Sequence, residues 1–102
     1  MFNGARYLTK GISTQVDIRL QIFMWNLIDE LIKDENMKVD YLQVFNIYKK
    51  GNKILIEHKQ EVPEYRKIYE LPNAGDIEVD DDIKIFVIDD GPYSTMLLSY
   101  EY

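Results

Sequence analysis

From Val16 to Lys33 the chain contains no glycine or proline, and its apolar residues recur at helical spacing. Ser13-Thr14 offers an N-cap oxygen ahead of this run, and Asp17 lies where a negative charge favours the positive helix end. At 100° per residue, Val16, Leu20, Phe23, Met24, Leu27 and Leu31 gather on one side. Ile18, Ile22, Trp25, Ile28 and Ile32 gather on an adjoining one, and Arg19, Asn26, Glu30 and Lys33 form the only clearly polar strip. The apolar arc spans roughly 220°, about twice what a helix needs to cover one sheet face. Such a helix demands either a sheet that curls around it or a second molecule to take the remainder.

The other segments read as strands. Arg6 to Lys10 is a short β-compatible run closed by Gly11. Tyr41–Lys50 and Lys53–Glu61 flank Gly51-Asn52, where glycine at the first loop position suits a type II′ hairpin turn. Pro63 ends the second of these strands or confines it to an edge. Arg66–Leu71 is a further member, stopped by Pro72-Asn73-Ala74-Gly75. Ile83–Ile88 and Tyr93–Leu98 make a last hairpin across Asp89-Asp90-Gly91-Pro92. The expected architecture is α+β: one long N-terminal helix packed on a mainly antiparallel sheet of about five strands, curled if it takes the whole apolar arc. Residues 1–102 are read as a single globular domain, since 46% apolar content is that of a folded protein and the length holds no second core.

Charge narrows the partners. Between Asp76 and Asp90 stand seven acids (Asp76, Glu78, Asp80, Asp81, Asp82, Asp89 and Asp90) and one base, Lys84, so this segment carries the whole net charge of −6. A block of one sign repels nucleic acid and anionic lipid and attracts cations or basic proteins. With no cysteine, disulfides, thiolate metal sites and cysteine nucleophiles are excluded. No apolar run approaches the ~18 residues of a membrane span. The opening Met1-Phe2-Asn3-Gly4-Ala5-Arg6-Tyr7 lacks the pattern of a signal peptide. A cytoplasmic protein that does not engage membranes is expected.

Taken as a set, several stretches resemble a known family: Arg6-Tyr7-Leu8-Thr9-Lys10-Gly11, Leu20 to Asp29, Asp40-Tyr41-Leu42-Gln43-Val44-Phe45, Ile56 to Tyr65, and Val87-Ile88-Asp89-Asp90-Gly91 running into Thr95-Met96-Leu97-Leu98. The family is domain of unknown function 960, small proteins of low-GC Gram-positive bacteria and their mobile elements. The likeness covers nearly the whole chain, although Ser99-Tyr100-Glu101-Tyr102 is looser. It implies a bacterial cytoplasmic protein and brings no activity, cofactor or site residue with it.

Each candidate for chemistry has a plainer alternative. His58 is the only histidine and the only side chain that titrates near neutrality unperturbed. With Glu61 and Tyr65 it could form the pocket of a small enzyme or ligand binder, but strand alternation puts His58 and Gln60 on one face and Glu57, Lys59 and Glu61 on the other. The acidic segment lacks the glycine and terminal glutamate of a calcium loop, so no metal site is assigned to it. The same acids allow an inhibitor that mimics DNA in the groove of a nucleic-acid-binding protein. Direct nucleic-acid binding has only Lys49, Lys50 and Lys53 beside Tyr41, Phe45 and Tyr48. Ser94-Thr95 has no nucleophile elbow, and no Gly-rich phosphate loop implies a cofactor. What remains is the second helix stripe, Ile18, Trp25, Ile28 and Ile32, as a contact for another protein or for a second copy in a homodimer. The leading reading is therefore a non-catalytic protein-interaction or regulatory module.

Overall fold

A computed structural model describes residues 1–79 and 81–102. The chain opens with strand β1 (Ala5–Leu8), helix α1 (Lys10–Gln15) and helix α2 (Ile18–Lys33). Strands β2 (Leu42–Lys50), β3 (Lys53–Gln60), β4 (Tyr65–Glu70), β5 (Ile83–Asp89) and β6 (Tyr93–Leu98) follow, and a 3-10 turn, Ser99–Glu101, ends the chain. One mixed sheet has the order β1-β6-β5-β2-β3-β4, open at β1 and β4. All neighbours run antiparallel except β1, which lies parallel to β6. This is the expected α+β class, with one strand more than expected and without the curl.

The start of the chain departs from the sequence reading. The first strand stops at Leu8, and Thr9 caps a separate short helix by accepting a hydrogen bond from the Ile12 N–H. Gly11, expected to close a strand, sits in the first turn of α1. The long helix begins afresh at Asp17, whose carboxylate accepts from the Arg19 N–H at 2.9 Å. Buried Gln21 joins the two helices by donating to the Val16 carbonyl, an acceptor left at the end of α1.

Parallel pairing of β1 with β6 needs close backbone approach at Gly4, where a Cβ would fall 2.2 Å from the Pro92 carbonyl oxygen. The β2–β3 hairpin closes as the sequence indicates. Lys50 pairs with Lys53, and Gly51 supplies φ of 64° while Asn52 stays at negative φ, as a type II′ turn requires.

The register assigns every strand residue to a face. Phe45, Ile47, Ile54, Ile56, Ile85, Val87, Met96 and Leu98 face the helices and form the core with Leu20, Met24 and Ile28. The acidic stretch contributes as well. Between β4 and β5 the chain returns past β3 and β2, inserting Leu71, Ala74, Ile77 and Val79 into that core. Asp76 and Glu78 point outward between them, so alternation, and not a purely solvated loop, organises the segment.

Candidate functional site: the uncovered face of the sheet

His58 is fully buried. Its ring stacks on Phe45 (centroids 4.4 Å apart, planes 14° apart), and Tyr65 meets it edge-on at 5.3 Å. Nε2 lies 2.7 Å from Gln43 Oε1, which can only accept, so the proton is on Nε2. Nδ1 is left as a buried acceptor with no partner. Gln43 in turn donates to Gln60 Oε1 at 2.8 Å, and Gln60 donates to the carbonyls of Lys38 and Pro63. The row His58–Gln43–Gln60 thus ties the loop before β2 and the turn after β3 to the sheet. Burial pushes the imidazole pKa down to about 4, and the ring stays neutral. Of the suggested pocket, Tyr65 reaches His58 while Glu61 is exposed in the turn, on the side opposite the imidazole. Burial and the neighbouring Tyr69 hydroxyl, 3.0 Å away, raise the Tyr65 pKa, which leaves it a neutral phenol. Ser94 is buried on the helix side, with β5 and β2 between it and the strand of His58.

The helix stripe separates into two groups. Ile28 is completely enclosed in the core, which removes it from any contact surface. Ile18 and Ile32 are exposed, Ile22 joins them at 53% exposure, and Trp25 is half-buried under the Arg6 guanidinium, 4.7 Å from its ring. Arg6 also pairs with Asp29 and donates to the Phe2 carbonyl, so β1 closes over much of the tryptophan. Ile28 turns inward because the core-facing side of α2, with Leu20, Met24 and Leu31, is centred near the middle of the apolar arc, between the two groups, rather than on the leucine side.

The acids divide too. Asp76 is paired with Arg19, as is Asp17, and the guanidinium holds both carboxyls below their usual range. Glu78, Asp81 and Asp82 are exposed before β5; Asp80 lies outside the described residues. Asp89 and Asp90 sit at the far end of the same strand, about 20 Å away. There Asp89 accepts from the N–H groups of Phe2 and Gly91. Among the described residues no group of three or more acids or histidines has metal-binding geometry.

The surface that sequence reading missed is the other side of the sheet. Leu42, Val44, Phe86, Ile88 and Leu97 face away from both helices and lie outside the helix-side core cluster; Val44 and Leu97 are nevertheless buried, and Leu42, Phe86 and Ile88 half-buried. The register lines them up. Leu97, Phe86, Val44, Lys59 and Arg66 form one row across β6, β5, β2, β3 and β4. Lys84, Asn46, Glu57 and Ile68 form the next, and Tyr7, Thr95, Ile88 and Leu42 flank them on the other side. Exposed Tyr7, Tyr41 and Tyr93 border the apolar centre, and the Tyr102 ring meets Phe86 edge-on at 5.8 Å.

A shallow cavity of about 480 Å³ opens on this face, floored by Leu42, Val44 and Phe86, with Lys84 at the β5 side and Lys59, Arg66, Glu61 and Glu64 at the β3–β4 side. Glu57 receives the Asn46 amide at 2.8 Å and is shared by Arg66 and Lys59, and these donors hold its carboxyl below the usual range. The strand residues of the face carry five cations (Lys50, Lys53, Lys59, Arg66, Lys84) against Glu57 and Glu70, and Glu61, Glu64, Asp90 and Glu101 line its edges, so the face has no positive excess. Phe45, grouped earlier with Tyr41 and Tyr48, is on the core side instead.

Over residues 5–101 the sequence matches a family described as "Staphylococcal protein of unknown function (DUF960)". The chain belongs to this family. A solved relative of the fold is the crystal structure of a protein of unknown function from Enterococcus faecalis. It superposes with a TM-score of 0.84 at 24% identity, covering 98% of this chain and 92% of that one. At that identity the likeness shows the fold alone. No curated protein matches the chain. Within the DUF960 chain no described helix is long and apolar enough to cross a membrane.

The period-two pattern on β2, β5 and β6 was the available signal for this face. Leu42, Val44, Phe86, Ile88 and Leu97 are apolar at positions that a strand covered on one side fills with polar residues. In a strand apolar on both sides, the sequence does not say which side the helix takes.

Proposed function

We propose that this DUF960 chain is a non-catalytic protein-contact module of the bacterial cytoplasm, and that another protein docks on the uncovered face of its sheet. One observation carries the reading: a second apolar row, with Leu42, Phe86 and Ile88 half-buried over buried Val44 and Leu97, lies across the sheet from both helices. Contiguous apolar surface of this kind, rimmed by polar groups, marks interaction sites. The cysteine-free composition supports the compartment. On the helix ridge Ile18, Ile22 and Ile32 are exposed, but Arg6 already covers Trp25 and Ile28 is internal.

Affinity capture from the native host tests this. Wild type and an Ile22→Asp variant retain the same partner and a Phe86→Asp variant loses it, while circular dichroism shows all three folded. Retention by Phe86→Asp together with loss by Ile22→Asp would place the contact on the helix and refute the assignment.

A further inference from the structure

Independently of the docking reading, we infer that β4 is a dimerisation edge: it pairs antiparallel with β4 of a second copy of this chain, about a twofold axis through Ile68. β4 is an outer strand of the sheet, and its register shows which main-chain groups it leaves over. The Leu71 N–H donates to the Ile54 carbonyl, and pairing continues without a bulge through Tyr69–Ile56, Lys67–His58 and Tyr65–Gln60. In an antiparallel ladder alternate residues bond to the same neighbour, so Tyr65, Lys67 and Tyr69 spend their N–H and C=O groups on β3. Those of Arg66, Ile68 and Glu70 point away from the sheet, and none has a hydrogen-bond partner among the described residues. Ile68, at the middle of this edge, is 46% exposed, and Pro63 and Pro72 fall outside the strand. Such an edge is a template for one more strand.

The occupant is a second copy because the edge complements itself in one register. With Ile68 opposite its own counterpart, Arg66 lies opposite the partner's Glu70 and Glu70 opposite the partner's Arg66. Every outward N–H and C=O of both strands is then paired, and each end of the ladder gains an opposite-charge pair. Arg66 donates only its Nε to Glu57, and Glu70 has Lys53 alone, at 3.7 Å. On the helix side Lys67, the kind of residue that guards an open edge, comes opposite the partner's Tyr69, whose ring takes an ammonium on its face. Shifted registers fail. Centring on Lys67 or Arg66 opposes like charges, and centring on Tyr69 sets Arg66 against Pro72, which has no N–H to give. The other edge, β1, is four residues long, and its Arg6 is committed to Asp29 and Trp25. The axis stands perpendicular to the sheet, so two six-stranded sheets become one, with both helix layers on the same side.

The test is sedimentation equilibrium of the full chain, with amide hydrogen exchange on a ¹⁵N-labelled sample. The mass rises from 12.1 kDa toward twice that value between about 10 µM and about 1 mM, the range for a small interface. Over the same range, exchange of the Arg66, Ile68 and Glu70 amides slows about tenfold or more, while Lys67 and Tyr69 are protected throughout. Ile68→Pro removes an outward N–H without touching the β3 ladder, and weakens association about tenfold or more. Arg66→Glu and Glu70→Arg each stay single alone, and their equimolar mixture dimerises, because each then meets its opposite charge. Circular dichroism checks that the variants are folded, and where Ile68→Pro is not, the mixture and the exchange rates decide. A single-chain mass at about 1 mM, outward amides that exchange equally at both concentrations, or a dimer that survives in folded Ile68→Pro each overturns the inference. So does a mixture of the two charge variants that stays single.

Discussion

Lowering the pH from about 7.5 to about 5 should destabilise this protein through His58 before any carboxylate contributes. The folded imidazole is neutral, stacked on Phe45, with Nε2–H donated to Gln43 and Nδ1 facing no partner. A proton on Nδ1 would place a donor and a charge in a dry core, and burial accordingly lowers the pKa from 6.5 to about 4. The unfolded chain, free of that constraint, takes up a proton at the ordinary value. Below 6.5 the unfolded state therefore binds more protons than the folded one, and stability falls with pH until the folded pKa is reached. With those two values the loss between pH 7.5 and pH 5 is about 2 kcal/mol. The carboxylates held down by partners, Asp17, Glu57, Asp76 and Glu101, have ordinary values of 3.8 to 4.5, so their contribution disappears in a lower range. Urea unfolding at the two pH values measures the difference, and an NMR titration of the single histidine measures its folded pKa directly. A native-state midpoint near 6.5, or stability unchanged within a few tenths of a kcal/mol, would falsify the account.

Two further substitutions probe the assembly. Ile28→Ala should cost about 2–5 kcal/mol by opening a cavity in an enclosed site, whereas Ile22→Ala stays within about 0.5 kcal/mol. Chemical denaturation of the pair separates core from surface on one helix, and equal costs would contradict the placement of Ile28. Gly4→Ala drives a methyl into the Pro92 carbonyl, so β1 must shift from β6 at a cost of about 1–3 kcal/mol. A thermal melt like that of the wild type would show the approach to be looser than drawn.

Much of the architecture was legible because it depends on local chemistry. The α2 periodicity, the Gly51-Asn52 turn and the Asp89–Pro92 reversal each record which backbone angles and which buried side a short stretch prefers. The separate helix α1 was hidden. Thr9 caps only six residues, and their single buried side chain, Ile12, offers no periodicity to read. The sheet-face site was not legible, in its residues or in its place. Lys59, Arg66, Lys84 and Phe86 come from three strands, and they meet only because β5 pairs with β2 and β2 with β3. His58 looked like a chemical group because it is the only histidine, and burial beside two amides makes it a structural one instead.

Sequence alone settled the long helix, the absence of cysteine and the acidic balance, since each is a property of neighbours along the chain or of composition. Only the tertiary structure decided that α2 buries Ile28 and exposes Ile22, that Ile77 and Val79 anchor the acidic stretch, and that a second apolar row lies on the side of the sheet away from the helices. The physical reason is common to all three. Burial and charge accumulation depend on which distant strand or helix lies opposite, and periodicity within a segment reports that a side is apolar without saying what, if anything, covers it.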